Sequence, residues 1–415
     1  MTNGPRYDLL LKGGRVIDPA NKLDGLADVA VLGDKIAAAG PDIDPSLATV
    51  VADVTGLIVT PGLIDIHMHA YYTRASGMIS VMPDYHSFRS GVTTVVDTGS
   101  AGAVHFPHFK ETVIDRVKTR VLAFVNIVKS GMVGLFEQHV AEMDPELAAS
   151  TVLEYPDDCV GIKTAHYWTR SPADAAHPVW AAVDCAESAG RLCGKPVMMD
   201  FWPRPDRPYD ELLLEKMRPG DIHTHVYAQQ FPLLDDSRRI RPCLAEARKR
   251  GIIFDVGHGK ASFWYRQAIP CIEQGFGPDS ISTDLHTGNV NGPVFDMVTT
   301  MSKLLSIGMP LQETIYRSTV TPAHEIGRPD LGTLSVGAEA DIAVLDVRKG
   351  DFHFVDCGDA THPGAAKLEC KLTLRAGKIV YNPDGIALPK WPDAPPDYWT
   401  IRTPPLNPDT HPPLI

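Results

Sequence analysis

Eight apolar runs of strand length succeed one another through the middle of this 415-residue chain, and helical stretches separate several of them. The first ends at His69; the others cover 92–97, 121–127, 159–164, 196–200, 221–225, 252–256 and 280–284, with helical stretches such as 180–191 and 244–250 between. Repeated strand-helix units with buried strands predict an α/β fold, a parallel (β/α)8 barrel of the TIM type, with a doubly wound open sheet as the alternative. In a barrel, chemistry collects at the C-terminal ends of the strands. Those ends carry His67, His69, Lys163, Asp200, His225 and Asp284.

The flanks read differently. Residues 7–60 hold short strand-like runs, Tyr7 to Leu11, Arg15 to Asp18 and Asp28 to Leu32, punctuated by Gly13-Gly14 and Gly33-Asp34. The same texture returns at 341–346, 372–375 and 378–381. Pairing the two predicts a small discontinuous β-sandwich built from 1–60 and 335–387 around a barrel of 61–334. From 388 to 415 the prolines, among them Pro389, Pro392, Pro395, Pro396, Pro404, Pro405, Pro408, Pro412 and Pro413, predict an extended C-terminal arm.

Composition narrows the partners. A hydrophobic content of 44% in a chain this long suffices for one large core. The formal net charge of -12 argues against nucleic acid, whose binding needs clustered Lys and Arg. Seven cysteines without regular spacing read as reduced thiols. No stretch approaches the roughly 20 apolar residues of a membrane span, and the first six residues hold no apolar signal region. The expectation is a soluble, cytoplasmic enzyme with a small-molecule substrate, no membrane partner and a homo-oligomeric state.

The segment Gly62-Leu63-Ile64-Asp65-Ile66-His67-Met68-His69 ends in two histidines one residue apart. Side chains alternate along a strand, so His67 and His69 share a face and can grip one metal ion. Together with 93–103 (Thr-Thr-Val-Val-Asp-Thr-Gly-Ser-Ala-Gly-Ala), Gly161-Ile162-Lys163, Asp255-Val256-Gly257-His258-Gly259 and Ser282-Thr283-Asp284-Leu285-His286, this segment resembles the amidohydrolase superfamily, in its deacetylase-like branch near the dihydroorotases. The resemblance spans roughly residues 7–385.

It implies a divalent metal centre, with zinc in one or two copies. His67, His69 and Asp284 would hold the first ion; Lys163, carboxylated on its amine, would bridge to a second held by His225. A lysine ammonium cannot bind a cation, whereas its carbamate offers two anionic oxygens. His223 is read as lower in the barrel, beside the ligands. The implied mechanism is attack on an acyl carbonyl by metal-activated hydroxide, with Asp284 as general base and then acid. Backbone donors from Gly99 and Ser100 through Ala103, with His258 and His286, would meet the substrate.

Three departures bear on the reading. Relatives usually place a histidine at the end of strand 5, where this chain has Asp200; a carboxylate can also ligate a divalent ion, so Asp200 is read as a ligand of the second, but it reaches less far and lowers the charge of a two-metal centre. The arginine that dihydroorotases carry two residues after the His-x-His is Tyr71 here, and Ala165 stands where related deacetylases often carry one. The strand-end loops are aromatic instead: Tyr71, Tyr72, His166, Tyr167, Trp168, Phe201, Trp202, Phe263, Trp264 and Tyr265, with Arg74, Arg170, Arg204 and Arg207 nearby. The expected activity is hydrolysis of an acyl amide or ester of the N-acyl amino acid or acylated hydroxy acid type. A cyclic amidohydrolase of the hydantoinase type is the alternative, and a non-catalytic barrel the third possibility.

Overall fold

Strands from both terminal regions meet in one sheet in the computed structural model, which describes residues 6–73, 79–132, 136–164, 166–167 and 173–400. The N-terminal region contributes β1 (Tyr7–Asp18), β2 (Leu23–Leu32), β3 (Lys35–Gly40), β4 (Ala48–Asp53) and β5 (Ile58–Pro61). The middle of the chain contributes β6 (Leu63–Met68), β7 (Val92–Gly102), β8 (Arg120–Asn126), β9 (Cys159–Lys163), β10 (Val197–Met199), β11 (Ile222–His223) and β12 (Ile253–Phe254). The C-terminal region adds β13 (Ile342–Val355), β14 (Thr361–Arg375) and β15 (Lys378–Tyr381).

The terminal strands form an eight-stranded sheet in the order β15-β14-β13-β5-β1-β2-β3, with β4 also paired to β1. Strand β5 joins the two ends of the chain, parallel to β1 on one side and antiparallel to β13 on the other. One face buries Leu9, Leu11, Val29, Val31, Ile342, Val344, Leu372 and Leu374; Leu10 and Ala30 pack on the other. Gly13-Gly14 is not the turn expected from its composition. It is a bulge within the single strand β1, where the register with β2 shifts between Leu11 and Gly14 and Gly13 takes φ 78°.

Strands β6 to β12 run parallel in sequence order. The segment 280–285 bridges both edges, Ser280 in parallel to Asp255 and Leu285 in parallel to Met68, so the curled sheet closes. Its backbone bonds include His69 N–H to the Leu285 carbonyl at 3.0 Å and Val256 N–H to the Ser280 carbonyl at 3.1 Å. Ile64, Ile66, Val96, Leu122, Phe124, Val160, Met198 and Ile222 fill the interior. Helices between the strands cover the outside, and their ends follow ordinary rules. Asp144 caps Pro145–Glu154 by accepting from the Leu147 N–H, and Gly194, at φ 66°, ends Ala181–Cys193.

The last three expected strands are shorter than their apolar runs. Only two residues each of 221–225 and 252–256 pair as strand, and 280–284 makes isolated bridges. The cause is local: His225 and Asp284 adopt φ 63° and 49°, and Gly257 φ 44°, so the chain turns off the ladder just where chemistry is expected.

All seven cysteines are free thiols. Among the described residues, no helix is long and apolar enough to cross a membrane. The arm expected from 388 on is described to residue 400. It makes two single turns, Trp391–Asp393 and Pro396–Trp399, where proline sits in the first turn, and Trp399 touches both Trp391 and Tyr398.

Candidate metal centre

Strict alternation along β6 would put His67 opposite Ile66, yet both face the interior. A register shift between Asp65 and Met68 resolves the conflict. Met68 packs in the outer layer while His67 and His69 turn inward on either side of it. The two rings lie 6.1 Å apart.

Each of three imidazoles is held through Nδ1 by an oxygen. His67 meets the Thr224 hydroxyl at 2.8 Å, His69 the Ser100 hydroxyl at 2.8 Å, and His225 the Gly257 carbonyl at 2.5 Å. The Thr224 hydroxyl donates its proton to Asp255 at 2.8 Å, so it accepts from His67, and the His67 proton sits on Nδ1. A carbonyl only accepts, so His225 also carries its proton on Nδ1. Burial pushes the His67 pKa down to about 4, which keeps that ring neutral.

The Nε2 atoms then face carboxylates. Asp284 Oδ1 lies 3.5 Å from His67 Nε2 and 3.1 Å from His69 Nε2. Asp200 Oδ2 lies 3.4 Å from His225 Nε2 and 3.2 Å from Lys163 Nζ. Burial would raise the Asp284 pKa, but positive charge at the positions of His67, His69 and His225, whether on the rings or on an ion between them, holds it well below the carboxylate range. The same opposition acts on Asp200: burial raises its pKa, and His166, Lys163 and His225 together lower it. All six strand-end residues are thus brought together, the two groups meeting where the His67 and His225 rings lie 4.9 Å apart. Gly99 makes room for it, since at φ 80° its missing Cβ would lie 3.0 Å from the Lys163 stem.

A neutral imidazole lone pair facing a carboxylate oxygen is repulsive unless a cation lies between. Neutral nitrogens and hard oxygens are also what a divalent ion of the zinc class takes, with the far ring nitrogen engaged by an oxygen. His67, His225 and Asp284 bring their ligand atoms within 4.8 Å of one another, and so do His166, Asp200 and His225. The donor set fits a divalent metal.

Several expected contacts have other duties. His223 is not beside the ligands: Ile222 faces the interior, so alternation turns His223 outward among Tyr209, Phe231 and Phe254, and Thr224 takes the inner position. His258 does not reach a substrate position. It is wholly buried, stacked on Phe263 at 4.8 Å, with Nε2 2.7 Å from Lys303 Nζ. Ser100 supports His69, and its N–H is given to Asp97 at 2.8 Å, so it is no free donor for substrate. His286 stands beside the centre, its ring 6.1 Å from that of His69.

Much of the aromatic loop set is packing. Tyr71 is buried with its hydroxyl 2.7 Å from His108, and Phe263 and Tyr265 are core. Phe201 stacks on Trp180 at 5.6 Å. Tyr167 and Trp202 do border the site, lining a cavity of about 40 Å³ with His166, Asp200 and Arg207. Arg207 is buried and donates to the carbonyls of Tyr167, Val179 and Trp202, while Arg204 pairs with Asp206 at 2.8 Å; neither is left to meet an anion as expected. Trp168, Arg74 and Arg170 lie outside the described residues.

Sequence reasoning passed over His166, whose Nε2 meets Asp200, and Thr224 as a support. Thr224 carries no signal without the fold. For His166, the signal was the missing imidazole at Asp200, which asks for a nitrogen from elsewhere.

A family model described as the amidohydrolase family matches residues 265–380. A deacetylase of Enterococcus faecalis is 30% identical over 91% of this chain and 100% of its own length. A deacetylase of Agrobacterium fabrum is 33% identical over 79% of this chain and 80% of its own. A solved structure described as an adenine deaminase superposes with a TM-score of 0.81 at 30% identity, covering 91% of this chain and all of that one.

Proposed function

The chain belongs to the amidohydrolase family and is a hydrolase, and from that premise we propose that it cleaves an acyl amide or acyl ester of the N-acyl amino acid or acylated hydroxy acid type. The observation that carries this is the convergence of the His67, His69 and His225 Nε2 atoms on Asp284 and Asp200 at the strand ends of the barrel. The deacetylase relatives support an acyl substrate, and the small cavity beside Asp200, walled by Tyr167 and Trp202, supports a short acyl group.

We take zinc as the ion, in one or two copies, with Lys163 carboxylated. His67, His69 and Asp284 would hold the first ion, and Asp200 and His225 the second, with Lys163 beside Asp200. A divalent ion there supplies Lewis acidity toward the carbonyl oxygen and acidifies water. The remaining work falls to the protein. Asp284, held ionised, accepts the proton of the attacking water and returns it to the departing nitrogen or oxygen. Asn289 fixes that residue by donating to its carbonyl at 2.7 Å. His286, half-buried at the rim, stands where it can donate to a substrate oxygen. Ser100 and the Thr224–Asp255 pair hold His69 and His67 in one orientation.

A panel of N-acyl amino acids and acyl esters against cyclic imides tests the reading, with zinc stripped by chelator and then restored. Zinc-dependent turnover of the acyl panel is expected. Turnover of cyclic imides alone would overturn the acyl assignment, and full activity after stripping would overturn the metal.

A further inference from the structure

The end of β10 supplies a carboxylate, Asp200, and one oxygen of it gathers three nitrogens. Lys163 Nζ stands 3.2 Å from Oδ2, His225 Nε2 3.4 Å, and His166 Nε2 makes the shortest contact of the three. An oxygen with two lone pairs does not satisfy three N–H donors well. One of the three is also no donor in its neutral form: His225 gives its Nδ1 proton to Gly257, so its Nε2 points a lone pair at Asp200. A cation among the groups would satisfy that lone pair and the crowded oxygen together.

His166 is held in place to take part. It follows Lys163 by three residues, in the segment leaving β9. Its N–H donates to Glu137 Oε1 at 3.4 Å, and its carbonyl accepts from Gln138. Glu137 is buried and also accepts from Asn126 at 3.2 Å, and Asn126 is the β8 residue paired with Lys163 across the ladder. The ring itself is half exposed, which leaves its polar edge at the rim.

We propose that His166 is a direct metal ligand, forming with Asp200 and His225 a second divalent-cation site whose missing strand-end imidazole is supplied from the loop after β9. This rests on the reading of the strand ends as a metal centre. Two imidazoles and one carboxylate suit Zn²⁺ or Co²⁺, and leave room for a lysine carbamate or a water. The site is built from two strand ends and one loop, so it differs in kind from one made wholly of strand ends: its affinity depends on how the loop is held.

The test is zinc content per chain by elemental analysis, after dialysis of the full-length protein against a competing chelator, with titration calorimetry of zinc into the stripped protein. Wild type is expected to hold about two ions, and His166→Ala about one, with the weaker ion bound about 10- to 100-fold more weakly. His166 is exposed, so the variant is expected to fold; His166→Asn, with a matching thermal melt, guards against the alternative. The double variant His166→Ala/Asp200→His, which puts an imidazole back on β10, is expected to regain the second ion. A His166→Ala protein that keeps both ions with unchanged affinity overturns the proposal. So does a wild type that holds a single ion, which would make Asp200 the counter-charge of a Lys163 ammonium and leave the proposed hydrolase intact. A wild type that holds none overturns both.

Discussion

The two halves of the centre are made differently. His67, His69 and Asp284 sit on two adjoining barrel positions, are buried, and are held by Ser100, by Thr224 with Asp255, and by Asn289. Asp200 and His166 sit at the rim, where His166 is half exposed and is steadied by Glu137 and Gln138 from a neighbouring loop. The buried half is rigid by packing and by a shell of hydroxyls. The rim half is assembled by a few polar contacts to one loop. A site divided in this way keeps its proton chemistry on the rigid side and places its adjustable ligand where the substrate arrives.

The widest difference is expected from Asp284→Asn, which keeps the shape and removes the proton acceptor. A loss of about 10³-fold in kcat should follow, against a modest change for substitutions on the rim; a loss under about tenfold would make Asp284 a bystander. Next comes Gly259→Ala. Gly259 has φ 54°, and a Cβ there would lie 2.5 Å from Asp284 Oδ2, so the carboxylate must move. Misplacement on that scale costs about 10²-fold in turnover, and wild-type kcat in this variant would show that the close approach is harmless.

Thr224→Val removes the link from His67 to Asp255 without changing bulk. Affinity for the tighter ion is expected to fall about tenfold, read by chelator competition, and an unchanged value would detach Asp255 from the metal. The smallest effect is assigned to Glu137→Gln, which keeps an acceptor for His166 but removes its charge. A change of about 1 kcal/mol, or several-fold, is expected in the weaker ion only. If the tighter ion weakens instead, the division between the halves is wrong.

How much of this was legible in the sequence follows the same line. The buried half was readable, because His67 and His69 close one apolar run and Asp284 ends the run expected as the eighth strand, which closes the sheet beside them. Even there the reason was incomplete, since the inward direction of their shared face depends on a register shift at 65–68 that no residue type announces. The rim half was half read: Asp200 stood out as a departure, but nothing in Ala165-His166-Tyr167 says which ring turns toward it. His223 was placed wrongly because the alternation of 221–225 was counted through His225, whereas the left-handed turn at His225 breaks the count. Aromatic side chains near strand ends also proved ambiguous, since Tyr71, Phe263 and Tyr265 are as useful to the core as to a substrate.

Strand β5 sets an order on how this molecule can be made. It leads through Gly62 directly into β6, the strand that carries the two histidines, and its flanks are covered by β1 on one side and β13 on the other. During synthesis the first flank is available almost at once, whereas the second emerges after residue 342. The lead-in to the histidines therefore waits with an open edge until the whole barrel has been made. A polypeptide that ends before residue 342 possesses every metal-binding residue named above and still lacks one edge of the strand that leads into them.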